Sequence, residues 1–83
     1  MQNVGEDISV LARFVPGGFE PVRFIWEGRP RKVKQVTGRW AEHDGQYRIY
    51  HFALVSETDT FYEISLHTRH MRWVLDRFMA GDP

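Results

Sequence analysis

The chain contains no cysteine, only four prolines and no long hydrophobic stretch among its 83 residues. The absence of cysteine excludes a disulfide scaffold, a thiol nucleophile and any zinc site with thiolate ligands. The longest stretch without a charged residue, 49–56, falls far short of the roughly 20 apolar residues of a transmembrane helix. The first ten residues lack the pattern of a signal or transit peptide. We therefore expect a cytoplasmic protein without a membrane anchor.

Neither charge nor hydrophobicity is in excess. Eleven Lys and Arg balance eleven Asp and Glu, and 42% of the residues are hydrophobic. These proportions are typical of a folded globular domain rather than of a disordered chain. A chain of this length builds one small core, so we predict a single domain over residues 1–83.

Turn-forming residues divide the chain into short runs rich in β-branched and aromatic residues. The turns lie at 16–18, 28–30, 43–45 and 57–59. The runs between them alternate in polarity, which is typical of half-buried strands. The predicted strands lie at 8–15, 22–27, 31–40, 46–55 and 60–67. In the third strand, the spacing of Val33 and Val36 predicts a bulge near Gly38. We predict an all-β fold of five or six antiparallel strands that form a small, partly open barrel.

The C-terminal segment fits two structures. Met71, Val74 and Leu75 recur at helical spacing, whereas Met71, Trp73 and Leu75 alternate as in a strand. The pattern alone slightly favours a helix over a sixth strand within 68–79. The predicted core consists of inward-facing residues of the strands: Phe24, Trp26, Val33, Ile49, Tyr62, Ile64, Trp73 and Leu75.

Two stretches, 21–40 and 71–78, share a pattern of aromatic and glycine anchors. The pattern comprises a Pro-x-x-Phe-x-Trp-x-Gly-Arg strand and turn, a basic strand that ends in Trp, and a late Trp-x-Leu strand. Its residues here are Pro21, Phe24, Trp26, Gly28, Arg29, Val33, Val36, Trp40, Trp73 and Leu75. On these residues the chain resembles a family of small bacterial domains of unknown function found near, or fused to, translesion (Y-family) DNA polymerases. The resemblance implies a β-rich domain connected with DNA damage tolerance, and it brings no catalytic motif. It also favours a strand within 68–79, so we predict a sixth strand there and retain the helix as the alternative.

The most distinctive local feature is a block of positive charge. Residues 29–39 contain five cations and no acid, which leaves six cations against eleven acids in the rest of the chain. Small barrels bind nucleic acid on such strands, because Lys and Arg contact phosphates while aromatic rings stack on bases. The candidate nucleic-acid-binding residues are Arg29, Arg31, Lys32, Lys34, Arg39, Trp40 and Tyr50.

The same block has a purely structural interpretation. Lys and Arg commonly cover the solvent face of a strand and protect sheet edges from aggregation. Acids on neighbouring strands can also pair with them. The near-neutral isoelectric point differs from the basic character typical of dedicated nucleic-acid-binding domains.

Motifs of known enzymes are absent from the sequence. It has no GxSxG elbow, no glycine-rich phosphate loop and no HExxH motif, and its four histidines lack a recognisable metal-ligand spacing. We predict a non-catalytic accessory or binding module without a metal or cofactor, with DNA or a polymerase-associated protein as its partner. The alternative is a protein-interaction or homodimerising domain with an apolar patch around Leu11, Ile25 and Phe78. The sequence leaves monomer and homodimer open.

Overall fold

Six antiparallel strands form a closed barrel in which each strand pairs with its neighbours in sequence. The structure is a computed structural model and describes residues 1–80. The strands are β1 (Gln2–Val15), β2 (Gly18–Trp26), β3 (Arg29–Asp44), β4 (Tyr47–Ser56), β5 (Phe61–His67) and β6 (Arg72–Met79). The last strand pairs with β1 and closes the sheet on itself. The predicted all-β barrel is confirmed, although it is closed rather than partly open, and the ambiguous C-terminal segment is a strand.

Tight turns fix how consecutive strands pair. At the β2–β3 turn, Glu27 and Gly28 have φ angles of 54° and 71°, the two positive values of a type I′ turn. At the β3–β4 turn, Gly45 has a φ of 63° at the first central position, as in a type II′ turn. Both turn types match the right-handed twist of the flanking strands, so the local sequence sets the register of these hairpins.

Aromatic and large aliphatic side chains fill the barrel. The buried cluster consists of Phe24, Phe52, Leu54, Tyr62, Ile64 and Leu75. Partly buried residues packed against it include three others of the predicted core: Trp26, Val33 and Trp73. The rings of Phe24 and Tyr62 meet edge to face with their centroids 4.9 Å apart, a favourable geometry for aromatic pairs.

The prediction that Ile49 belongs to the core is wrong. Phe52 and Leu54 of β4 lie in the buried cluster, so the alternation of side chains places Ile49 on the outer face of the sheet. There it pairs with His67 of β5. The two-residue turn before β4 sets this register, and a shift by one residue reverses every side chain.

Phe78 does not belong to the predicted exposed patch. The register of β6 against β5 shifts between Leu75 and Arg77, and this bulge restores an inward direction to Phe78. Its ring centroid lies 5.0 Å from that of Trp26 and 6.2 Å from that of Tyr62. The other two residues of that patch are exposed.

The pairing between β2 and β3 is the shortest in the barrel. It covers four residue pairs, from Arg23 with Lys32 to Trp26 with Arg29. Beyond Lys32, β3 continues to Asp44, and within residues 1–80 only β4 pairs with this part of the strand. We call the line along which β2 and β3 separate the β2–β3 seam.

Two bulges lie in β3 where it leaves β2. Its register against β4 shifts between Val33 and Gln35 and again between Val36 and Gly38, and the second shift confirms the predicted bulge. Bulges bend a strand and increase its twist. The long β3–β4 hairpin that follows fits the elongated shape of the molecule, which measures 42 × 28 × 21 Å.

Replacing Phe24 by alanine is expected to lower the free energy of unfolding by about 3 to 5 kcal/mol, because the residue is only 1% exposed. Phe14→Ala is the matched control, since Phe14 is 92% exposed and its loss should change stability by less than about 0.5 kcal/mol. Chemical denaturation measures both. Equal denaturation midpoints for the two variants would contradict the assigned core.

Candidate anion-binding surface

The predicted nucleic-acid-binding residues on β3 point in different directions. Arg31 faces the barrel interior, where its Nη1 donates to the hydroxyl of Tyr62 over 3.2 Å and its guanidinium lies 4.8 Å from the ring centre of Trp26. Trp40 stacks on the imidazole of His51, with the ring centroids 5.1 Å apart. The predicted block therefore does not form one continuous face.

Three of the predicted cations have acidic partners, and the first is Arg31, whose Nη2 lies 3.5 Å from Oε1 of Glu27. Nζ of Lys34 lies 3.0 Å from Oδ1 of Asp59, and Nη2 of Arg39 lies 3.2 Å from Oε2 of Glu20. Glu20 also accepts hydrogen bonds from Arg13, and these bonds, joined by that from Arg39, hold the pKa of Glu20 below its usual value of 4.5. The carboxylate of Glu20 on β2 thus pairs with Arg13 of β1 and, across the β2–β3 seam, with Arg39 of β3.

The predicted stacking residues lie far from the first cations of β3. Trp40 follows Lys32 by eight residues on one strand, a distance of roughly 26 Å in an extended chain. Tyr50 is half-buried, and its ring meets that of Phe19 edge to face with a centroid distance of 5.2 Å. One cleft brings Arg39, Trp40 and Tyr50 of the predicted set together, but Arg29 and Lys32 lie far from these rings.

A different group of cations lies together on the β2–β3 hairpin. Arg23 and Lys32 are directly opposite each other on the two strands, and Arg29 begins β3. Among residues 1–80, these three cations and Arg48 have no ion pair, whereas acids lie beside the other cations. Like charges directly opposite in a sheet are destabilising.

These three hairpin cations line a cleft on the barrel wall of about 370 Å³. We call it the cationic cleft and define it by Arg23, Arg29 and Lys32, all of which are exposed. Its other wall is the loop that follows β4, where the N–H of Glu57 donates to the carbonyl of Lys32 over 3.1 Å. The lining also includes Pro30, Arg31, Ser56 and Thr58. Three cations without an ion pair within residues 1–80 thus share the cleft with one acid, Glu57, while the guanidinium of Arg31 turns inward.

The sequence prediction omits Arg23, which lies on β2 outside the basic block. The strand pairing alone brings it to the cleft. Counting outward from the β2–β3 turn pairs Trp26 with Arg29 and, three residues further, Arg23 with Lys32. The hairpin register was therefore the signal that could have identified it.

A second polar cluster lies on the outer face of β3, β4, β5 and β6. Nε2 of His51 lies 2.6 Å from Oε1 of Glu42, and its Nδ1 lies 3.9 Å from Oδ2 of Asp76. The side chain of Ser65 is fully buried beside them, and its hydroxyl lies 3.1 Å from Nε2 of His67. Within residues 1–80, no group of three or more His, Asp or Glu side chains has an arrangement that could hold a metal ion.

Asp76 has the least favourable environment for its charge in this second cluster. Burial raises the pKa of Asp76 above its usual value of 3.8, and a hydrogen bond from Ser65 opposes this effect. Oδ2 of Asp76 is buried and has no hydrogen-bond partner. A carboxylate in such a place destabilises the folded state when it is ionised.

Comparison with known protein families, with curated proteins and with solved structures finds no match to this chain. The part of the chain that the structure describes contains no helix with the length and apolarity required to cross a membrane. The surfaces described above therefore carry the functional inference.

Asp76→Asn is expected to raise the free energy of unfolding at pH 7 and to lose this advantage below pH 3.8. The raised pKa of Asp76 means that the folded state holds the proton more tightly than the unfolded state. Wild-type stability therefore falls as the pH rises from 3.8 through the folded-state pKa. Denaturant titrations of both proteins between about pH 3 and 8 measure the difference. A difference that stays constant across this range would contradict the prediction.

Proposed function

We propose that this chain is a non-catalytic binding module that holds nucleic acid by its phosphate backbone at the cationic cleft. The observation that carries this proposal is the directly opposed pair of Arg23 and Lys32, with Arg29 beside it and no ion pair for any of them within residues 1–80. A phosphate between the two opposed cations replaces their repulsion with charge-assisted hydrogen bonds. The repulsion between the two cations destabilises the free protein, and binding of the phosphate removes this repulsion.

The composition of the cleft supports contacts to phosphates rather than to bases. Trp40 is remote, and the next pair on the same face of the hairpin, Ile25 with Pro30, has no aromatic ring. Phosphate contacts position a protein on nucleic acid without reading its sequence. We therefore expect binding that depends on salt and tolerates changes of sequence.

The resemblance to domains that accompany translesion polymerases supports nucleic acid over other polyanions. Arg29 and Lys32 belong to the set proposed from the sequence, and Arg23 extends that set. We place the module in cytoplasmic DNA repair as part of the same proposal, with DNA as its partner.

Titration of the isotopically labelled protein with short single-stranded and duplex DNA at several salt concentrations tests the proposal. Three phosphate contacts predict that log K falls with log salt at a slope of about −2 to −3. Arg23→Gln and Lys32→Gln should each weaken binding and make the slope shallower by about 0.7 to 0.9. The amide shifts should centre on the cationic cleft.

Arg48→Gln is the matched control for this titration. Arg48 is also exposed and without an ion pair within residues 1–80, but it lies at the opposite end of β4 from Ser56, which lines the cleft. This variant should bind DNA with the wild-type affinity and slope. Equal losses from Lys32→Gln and Arg48→Gln would indicate diffuse attraction and contradict the proposal. Absence of binding at low salt would favour the alternative of a protein-interaction domain.

A further inference from the structure

The C-terminal part of β3 has an unpaired edge. One side of residues 38–44 pairs with β4 without a bulge. On the other side, β2 pairs with β3 only as far as Lys32. In the part of the chain that the structure describes, no strand lies along this edge. We call it the open β3 edge.

The hairpin register identifies the main-chain groups that face the open β3 edge. Asp44 and Tyr47 flank a two-residue turn and therefore form a hydrogen-bonded pair. Hydrogen-bonded and non-hydrogen-bonded pairs alternate along antiparallel strands. Arg39, Ala41 and His43 consequently direct their N–H and C=O groups away from β4, and three donors and three acceptors face the open side.

The opposite side of the same hairpin is capped. The N–H of Thr68 donates to the carbonyl of Arg48 over 3.1 Å, and the Thr68 hydroxyl donates to that carbonyl over 2.7 Å. The hydroxyl oxygen also accepts from the N–H of Arg48 over 3.1 Å. These hydrogen bonds occupy the N–H and C=O groups of Arg48, which lies beyond the last pair of β4 with β5. The main-chain groups on the β3 side have no such partner within residues 1–80.

An apolar cleft of about 250 Å³ lies beside the open β3 edge, between β3 and the β1–β2 turn. Rings of Phe19, Tyr50 and Phe52 form its inner wall, while Gly17 and Gly18 contribute no side chains to the facing wall. A strand added to the edge would therefore find space for one apolar side chain.

We propose that the open β3 edge binds an extended acidic peptide of a partner protein, which adds a strand to β3. The peptide main chain hydrogen-bonds to the three outward-facing residues, and one of its apolar side chains fills the cleft. His43 and Arg48 are directly opposite on the face shared with Arg39, and Arg48 has no ion pair within residues 1–80. An acidic side chain of the peptide meets this charge.

A second copy of the chain fits the edge less well. An antiparallel β3–β3 pair centred on Ala41 would align the outward-facing main-chain groups of both copies. It would also place Arg39 opposite His43 twice, with Arg48 behind each histidine. The three side chains that a second copy would bring to this face, Arg39, Ala41 and His43, include no acid to meet the charge of Arg48, which is unpaired within residues 1–80, so this charge favours an acidic peptide. This proposal does not depend on nucleic-acid binding.

Selection from a displayed library of random nine-residue peptides against the full chain tests this proposal. The enriched peptides should combine acidic with apolar residues. Synthetic copies of them should shift the amide resonances of Arg39, Ala41 and His43 in the wild-type protein. Failure to enrich peptides, enrichment of basic peptides, or shifts confined to other strands would overturn the proposal, whatever the behaviour of variants.

Ala41→Pro removes the central N–H that faces the open side. This N–H is not used in the pairing with β4, so the hairpin tolerates its loss. Peptide binding should fall at least about tenfold, whereas Ala41→Ser, which keeps the N–H, should bind as the wild type does. Equal binding by the two variants would contradict the proposal.

Charge variants separate this surface from the cationic cleft. Arg48→Gln should weaken peptide binding several-fold and leave DNA binding unchanged, while Lys32→Gln should have the reverse effect. A wild-type dimer in sedimentation that Ala41→Pro abolishes would overturn the peptide proposal and assign the edge to a second copy.

Discussion

The pairing of β6 with β1 closes the barrel, and the rest of the structure depends on this contact. It runs from Gln2 with Phe78 to Ile8 with Trp73. Without it the sheet would have two more open edges, and water would reach Leu75, which is now 0% exposed. Residues 1–80 form one sheet with no second layer to cover it, so closure is what creates an interior for the aromatic rings.

A closed barrel can contain strands of different lengths, and this difference in length explains where the two proposed binding surfaces lie. Strand β3 has 16 residues and β5 has 7, so β3 extends beyond the part of the barrel in which it pairs on both sides. Its first residues pair with β2 and bring Arg23 against Lys32. Its last residues, beyond the bulges, have a partner on one side only. Both the unneutralised charge and the unpaired main chain thus arise at the β2–β3 seam.

The sequence predicts what local patterns determine, and it fails where a register or a long-range pairing decides. Alternation and turn residues were enough for the first five strands, whereas the pattern of the sixth slightly favoured a helix and only the resemblance favoured a strand. Ile49 and Phe78 were assigned to the wrong surroundings, because a turn register and a bulge set their directions. The basic block was visible, but the block alone could not show that Arg31 turns inward to Tyr62. Arg23 lies outside the block, on the preceding strand, and the hairpin register brings it opposite Lys32.

The two proposed surfaces occupy opposite ends of one strand, which has an electrostatic consequence. Lys32 and Ala41 are nine residues apart on β3, roughly 30 Å in an extended chain. The Debye length at physiological salt is only about 8 Å, so a polyanion at one end has little effect on an acidic peptide at the other. Because Lys and Arg equal Asp and Glu in number, no net charge attracts either ligand from a distance. Each ligand must therefore be held by its own local contacts, and both proposals together describe an adaptor that can hold DNA and a protein at the same time.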